Sequence, residues 1–360
     1  MAGKAVRGVR RVDGITKSRG DKTMNTVFLR RPALRRAARA CLVTVGLLAA
    51  SAAAAQDYPT RPLTLLVPFT AGGATDVLAR TVAEGLSKEL KQPIVVENVP
   101  GAGGSVGQSR AARSTADGYT LLLGNVGTLA ANASLYRNLP YDVLKDFTAV
   151  ASVGDAPQVL SVRSDFPAST LDEFAAYAKA NASTMNFGTA GVGSGSFLGG
   201  VLLNAALGTK VPPVHYRGAA QATADVMAGH IDYTIESSST AVSSIASKKI
   251  KGLAVLGDKR VGVLPDVPAA GETAYSGLRY DIWNMVLVPK GVPTEIVDKL
   301  NGALNRVLAD AGMRERYAQM GLTVPEAGHR STKGSAQLLA DEVARWRKLL
   351  AEAGVKPEGS

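Results

Sequence analysis

Short apolar runs alternate along this chain with segments in which apolar residues return every three to four positions. LTLLVPF (63–69) is followed by Leu78, Val82, Leu86 and Leu90 at a spacing of four, then by PIVVEN (93–98) and YTLLLGN (119–125). Runs that are apolar on both faces and separated by helical stretches predict parallel strands joined by helical crossovers. The second half repeats the scheme with MNFGTA (185–190), a helix through Phe197, Leu198, Val201, Leu202 and Ala205, then VPPVHY (211–216), HIDYTIE (230–236) and KGLAVLG (251–257). Two successive α/β units are predicted, each a mostly parallel sheet flanked by helices.

FTAVASVGDAPQVLSV (147–162) and YDIWNMVLVPKG (280–291) are long extended stretches between those units, where the chain is expected to cross from one lobe to the other. That places 56–156 and 281–360 in a first lobe and 157–280 in a second. After Pro293 the tail is helical, with Ile296, Val297, Leu300, Leu304, Val307 and Leu308 on one face. Trp283, on the returning stretch, reads as core at the lobe junction, with stacking in the cleft as the other option.

Two of the strands end in glycine corners that open helices. In LLVPFTAGGATDVLAR the strand stops near Phe69, and Thr70-Ala71-Gly72-Gly73 turns the chain into a helix whose first turn holds Thr75 and Asp76. Free N–H groups and the positive end of the helix dipole attract an anion there. Glycine also lets a ligand approach the backbone without a Cβ in the way. FGTAGVGSGSF (187–197) repeats the device, and ligands of open α/β sheets bind at the carboxyl ends of strands. Two such corners facing each other would enclose an anion such as a carboxylate; a plain structural turn is the competing reading of either one alone.

Enzymatic patterns are missing or fail in detail. In ENVPGAGGSVGQS (97–109), Gly101-x-Gly103-x-x-Val106 puts valine where a dinucleotide fingerprint needs a small residue, and the next strand ends in Asn125 instead of an acid. There is no G-x-S-x-G elbow, no Walker lysine, and no metal-ligand spacing among His215, His230 and His329. No cofactor is implied.

Charge changes the picture only at the amino end. The first 55 residues hold twelve Lys/Arg and two acids, so the remainder has 41 − 12 = 29 basic and 30 − 2 = 28 acidic residues. The pI of about 9.7 therefore describes the leader and gives no nucleic-acid footprint. RRPALRRAARA followed by CLVTVGLLAASAAAA has the basic, apolar and small-residue zones of a secretory signal peptide, with cleavage expected near Ala55; a start at Met24 would give a leader of ordinary length. Cys41 lies within this leader, so the exported chain would contain no cysteine and hence no disulfide or thiolate site.

VPFTAGGATDVLAR, VVENVPGAGGSVG, DGYTLLLGNVGTLAANASLY, LPYDVLKDF, GTAGVGSGSFL, YRGAAQATADVMAGHID and LPDVPAAGE, in that order over about residues 58–325, resemble the Bug-type substrate-binding receptors of tripartite tricarboxylate transporters. The resemblance implies a two-lobed type II periplasmic-binding-protein fold with two hinge crossings. It also implies a periplasmic monomer that performs no chemistry, closes on a small carboxylated ligand and delivers it to membrane permease subunits. A sensor subunit signalling to another membrane partner is the alternative, and an exported oxidoreductase a remote one. By position, the first cradle would be Thr70, Ala71, Gly72 and Gly73 and the second Ala190, Gly193, Ser194 and Ser196. Asn125, Thr128, Tyr216, Arg217, Gly218 and Ser237 would line the cleft between them.

Two departures from the family pattern stand out. Phe197 occupies a position where histidine is frequent, and Glu236-Ser237-Ser238 replaces an aspartate-asparagine pair. Glu236 either faces the cleft, where it would repel a carboxylate or pair with a ligand ammonium, or points to solvent or a lysine. Arg217 either pairs a distal carboxylate or contributes through its backbone alone.

Overall fold

The structure, a computed structural model, describes residues 58–357. The expected leader and its cleavage site lie outside them. The first half contains strand β1 (Leu63–Val67), helix α1 (Ala74–Leu90), β2 (Ile94–Asn98), α2 (Ser105–Ala112) and β3 (Thr120–Asn125). Strand β4 (Phe147–Arg163) leads to α3 (Leu171–Asn181), β5 (Phe187–Thr189), α4 (Gly195–Leu207), β6 (Pro213–His215), α5 (Ala219–Met227), β7 (Tyr233–Ser237), α6 (Ser238–Ala246) and β8 (Ile250–Val255). The chain returns through β9 (Asp281–Pro289) to α7 (Thr294–Ala309), α8 (Ala311–Gln319) and α9 (Thr332–Glu352).

Among the described residues the strands hydrogen-bond in the order β2-β1-β3-β9-β4-β7-β5-β6, with β8 also on β4. The trios β2-β1-β3 and β6-β5-β7 are each parallel. Both are completed by a long antiparallel strand, β9 on β3 and β4 on β7. The second unit therefore repeats the order of the first, as the alternation of runs predicts. Strand β4, 17 residues long, belongs to both units. It pairs with β9 from Phe147 to Pro157, then with β7 from Gln158 and with β8 from Val159.

The apolar runs are explained by cover on both faces. Leu63, Leu65 and Val67 of β1 pack with Leu78, Val82 and Leu86 of α1 and with Leu300 and Leu304 of α7, while Leu66 faces the opposite core. That opposite core is continuous from the first unit to the second: Leu122, Val126 and Leu129 share it with Phe197, Leu198 and Leu203. Trp283 is buried within it and donates from Nε1 to Glu342 Oε2 at 3.0 Å; Trp346 Nε1 donates to the same oxygen at 3.1 Å. Of the two roles open to it, Trp283 takes the core one. Strand β6 is shorter than expected, because Pro212 and Pro213 bring no N–H to a ladder and stand at the sheet's edge.

Candidate functional site

At the first corner the strand-to-helix turn is exposed, and Gly73 is the N-cap of α1 with no side-chain cap. The N–H groups of the first helical turn have no intrahelical partner. Gly72 adopts φ +85°, which favours glycine. Its N–H is not free: it donates to Asp76 Oδ2 at 2.9 Å. Asp76, almost fully buried, also accepts from Arg80 Nε at 3.0 Å and Asn98 Nδ2 at 2.9 Å, and Asn98 donates in turn to the Phe69 carbonyl. Burial pushes the Asp76 carboxyl up, but the bonds from Arg80, Gly72 and Asn98 outweigh it and hold the group below the usual carboxylate range. Asp76 thus braces the corner, and the donors left toward solvent are those of Gly73 and the first turn. A Cβ on Gly73 would meet only the Thr70 carbonyl, at 3.8 Å. Neither packing nor conformation within the chain requires glycine there.

The second corner also turns a strand into a helix, but with a side-chain cap. Ser194 caps α4, accepting from Phe197 N at 3.3 Å, and Ser196 Oγ accepts from Ala190 N at 2.9 Å. Gly191 N donates to Thr189 Oγ1, which shares a 2.7 Å hydrogen bond with His215 Nδ1. The Ala190 N–H expected to hold ligand is therefore occupied, while Gly195 and Ser196, in the first turn of α4, keep N–H groups without an intrahelical partner.

Asn125 and Thr128 form a reciprocal cap on a π-helical turn, Val126–Ala131. Asn125 Oδ1 accepts from Gly127 N at 3.1 Å and Thr128 N at 3.3 Å, and Asn125 N donates to Thr128 Oγ1 at 3.1 Å. Thr128 is buried with its hydroxyl committed, whereas the Asn125 amide reaches Thr75 Oγ1 of the first corner at 3.5 Å. This same turn touches the second corner: a Cβ on Gly127 would lie 2.5 Å from the Gly193 carbonyl oxygen. Thr75, Asn125, Gly127 and Gly193 therefore link the two corners in one locality. Gly127 had no part in the sequence reading, although the N-x-x-T spacing of Asn125 and Thr128 is a cap signature.

Tyr216 sits beside the second corner through its backbone, Tyr216 N donating to Thr189 O at 2.8 Å, but its hydroxyl is spent on Asp225 Oδ2 at 2.6 Å. Gly218 is the N-cap of α5, and Arg217 is exposed, its N–H donating to Gln221 Oε1. Ser237 is half-buried and shares a 3.0 Å bond with Ser239 Oγ. Glu236 corrects an expectation: it reaches neither solvent nor a lysine. It is buried, and burial holds its carboxyl above the usual range against the lowering effect of Ser161 and of Thr240, whose Oγ1 donates to Oε2 at 3.3 Å. Phe197 is buried against the His215 ring at 5.7 Å and joins the core, so no polar contact replaces the frequent histidine. At the crossing between the units, Asp155 of β4 shares a strand face with Asp281 of β9, its diagonal neighbour. Burial first, then the charges of Asp281 and Glu326, push its carboxyl up to about 7.

Two α/β units joined by crossing strands, each with a glycine corner opening a helix toward the other, define a two-lobed periplasmic-binding-protein fold. Residues 78–355 match the family described as tripartite tricarboxylate transporter family receptor, and the chain belongs to that family. It is 39% identical over 316 residues to a protein of the TAR-I ttuE-ttuC' intergenic region of Agrobacterium vitis, covering 88% of this chain and 91% of that one. It is 35% identical to BugT of Bordetella pertussis, covering 88% and 98%. Among solved structures, MatC from Rhodopseudomonas palustris with bound malate is 36% identical with a TM-score of 0.73, covering 81% of this chain and all of that one. A second R. palustris protein, with adipate, is 32% identical with a TM-score of 0.76, covering 84% and 100%. The resemblance carried by the glycine motifs holds. No helix among the described residues is long and apolar enough to cross a membrane.

Proposed function

We propose that this protein is an extracytoplasmic solute receptor that captures a small carboxylated molecule between its lobes and hands it to the permease of a tripartite transporter. The lobes are residues 56–156 with 281–360, and 157–280. The observation that carries the reading is the pair of strand-to-helix corners joined through Asn125, Gly127 and Gly193, each presenting first-turn N–H groups. Such groups hold a carboxylate by hydrogen bonds and helix polarity, with no side-chain base or nucleophile and no chemical step. The malate and adipate seen in related structures are ligands of the kind this site suits. Ligand binding shifts the population toward the closed form, which docks on the permease.

The test is a thermal-shift screen of residues 58–357, refolded to strip carried-over ligand, against malate, adipate, citrate and amino acids. A ligand at 100 times its Kd adds about 2.7 kcal/mol to the folded state. Gly73→Ala is the informative variant, because the site has room for the methyl group and φ is ordinary at −79°. The ligand-free Tm should stay within about 1 °C and carboxylate affinity should fall at least tenfold. A protein that no carboxylate stabilises would overturn the reading.

A further inference from the structure

We propose that Gly127 is the closure stop of this receptor, the place where the two lobes meet backbone to backbone. This rests on the two-lobed capture reading above. Gly127 lies in the turn that follows β3 of the first unit, and Gly193 in the corner that follows β5 of the second. The crossing strands, the core beneath them and a 2.8 Å hydrogen bond from Ser238 Oγ to Gly321 O also tie the units, and this contact is the one that joins the two corners.

Both partners are held. A Cβ at Gly127 would stand 2.5 Å from Gly193 O, and a backbone carbonyl has no rotamer by which to retreat. Gly193 itself sits at φ +78°, between Gly191 at φ +104° and Ser194, whose N–H donates to Gly191 O at 3.1 Å. On the other side, the Gly127 and Thr128 N–H groups are pinned by Asn125 Oδ1. The contact interlocks in reverse as well: a Cβ at Gly193 would meet Asn132 Oδ1 at 3.1 Å and Leu135 Cδ1 at 3.3 Å. Asn132 is buried, with its Nδ2 fixed on Gly103 O at 2.8 Å.

The two glycines differ in a way that makes the idea testable. Gly193 needs glycine for its own backbone, but Gly127 does not have positive φ, so a side chain there is opposed chiefly by the other lobe, the Gly193 carbonyl at 2.5 Å, with Asn125 Oδ1 of its own turn in ordinary contact at 3.4 Å. Substitution at 127 should act as a wedge of graded size. With Gly127→Ala and Gly127→Leu, circular dichroism should remain that of the parent. Malate or adipate affinity should fall about tenfold for alanine and a hundredfold for leucine, and the ligand-induced decrease in radius of gyration by small-angle scattering should shrink, then vanish. Without ligand, amide exchange at residues 190–196 should quicken in the leucine variant. Parent-like compaction and parent-like exchange in Gly127→Leu would overturn the closure stop, whether or not any acid binds. A parent protein that binds none of the acids would count against the capture reading, and the exchange comparison would still decide the contact.

Discussion

Asp76 and Ser196 do the same work at the two corners: each side chain reaches back to an N–H in the turn before its helix, Gly72 N in one case and Ala190 N in the other. Glycine motifs show that donors are present, but which of them stay free depends on side chains several positions on. Replacing Asp76 by alanine removes three hydrogen bonds from a buried position. A stability loss of about 1–3 kcal/mol is expected by urea unfolding, together with weaker ligand binding, because Gly72 is released. The folded-state pKa of Asp76 is depressed, so its contribution is full above the unfolded value near 4 and is lost as pH falls through the folded one. Asp76→Asn should accordingly destabilise at pH 7 and matter least at the acid end.

At the scale of elements, the regular periodicities were legible. Helix α1 buries Leu78, Val82, Leu86 and Leu90 at the spacing of four, and the two extended stretches became β4 and β9. The π-helical turn after β3 was not foreseen, since Asn125 and Thr128 look alike as cappers and as ligand donors until the backbone is seen. Helix α9 shows a further element-level device. Both tryptophans of the chain donate to Glu342 of that helix, one from β9 and one from the helix itself. Glu342→Ala would strand two buried indole N–H groups and should cost about 2–4 kcal/mol, whereas Glu342→Gln, which keeps an acceptor, should cost less. Because no other tryptophan exists, unfolding followed by tryptophan fluorescence reads this one junction.

At the scale of the whole molecule, the crossing between the units carries an electrostatic cost. Asp155 stands where β4 passes from β9 to the second unit, facing Asp281 of β9, Glu326 of the segment before α9 and Tyr317 of α8. A carboxyl whose folded pKa is raised to about 7 from an unfolded value near 4 favours folding below pH 4, and that advantage is lost as pH rises through 7. Asp155→Asn should therefore raise the Tm by a few degrees at pH 8 and hardly change it at pH 4.5, as differential scanning calorimetry would show. An equal rise at both pH values would mean that charge at the crossing is not the cause.

The order of strands and helices, the two glycine corners, the absence of cysteine after Cys41 and the family itself were all determined by the sequence, because each rests on local spacing or on motifs in succession. Tertiary structure alone decided which N–H groups remain available, that Phe197 and Glu236 are buried, and that Gly127 meets Gly193. The physical reason is common to these: each depends on contacts between residues from separate elements, and a glycine or a carboxylate takes its role from the atom that stands opposite it once the chain has folded.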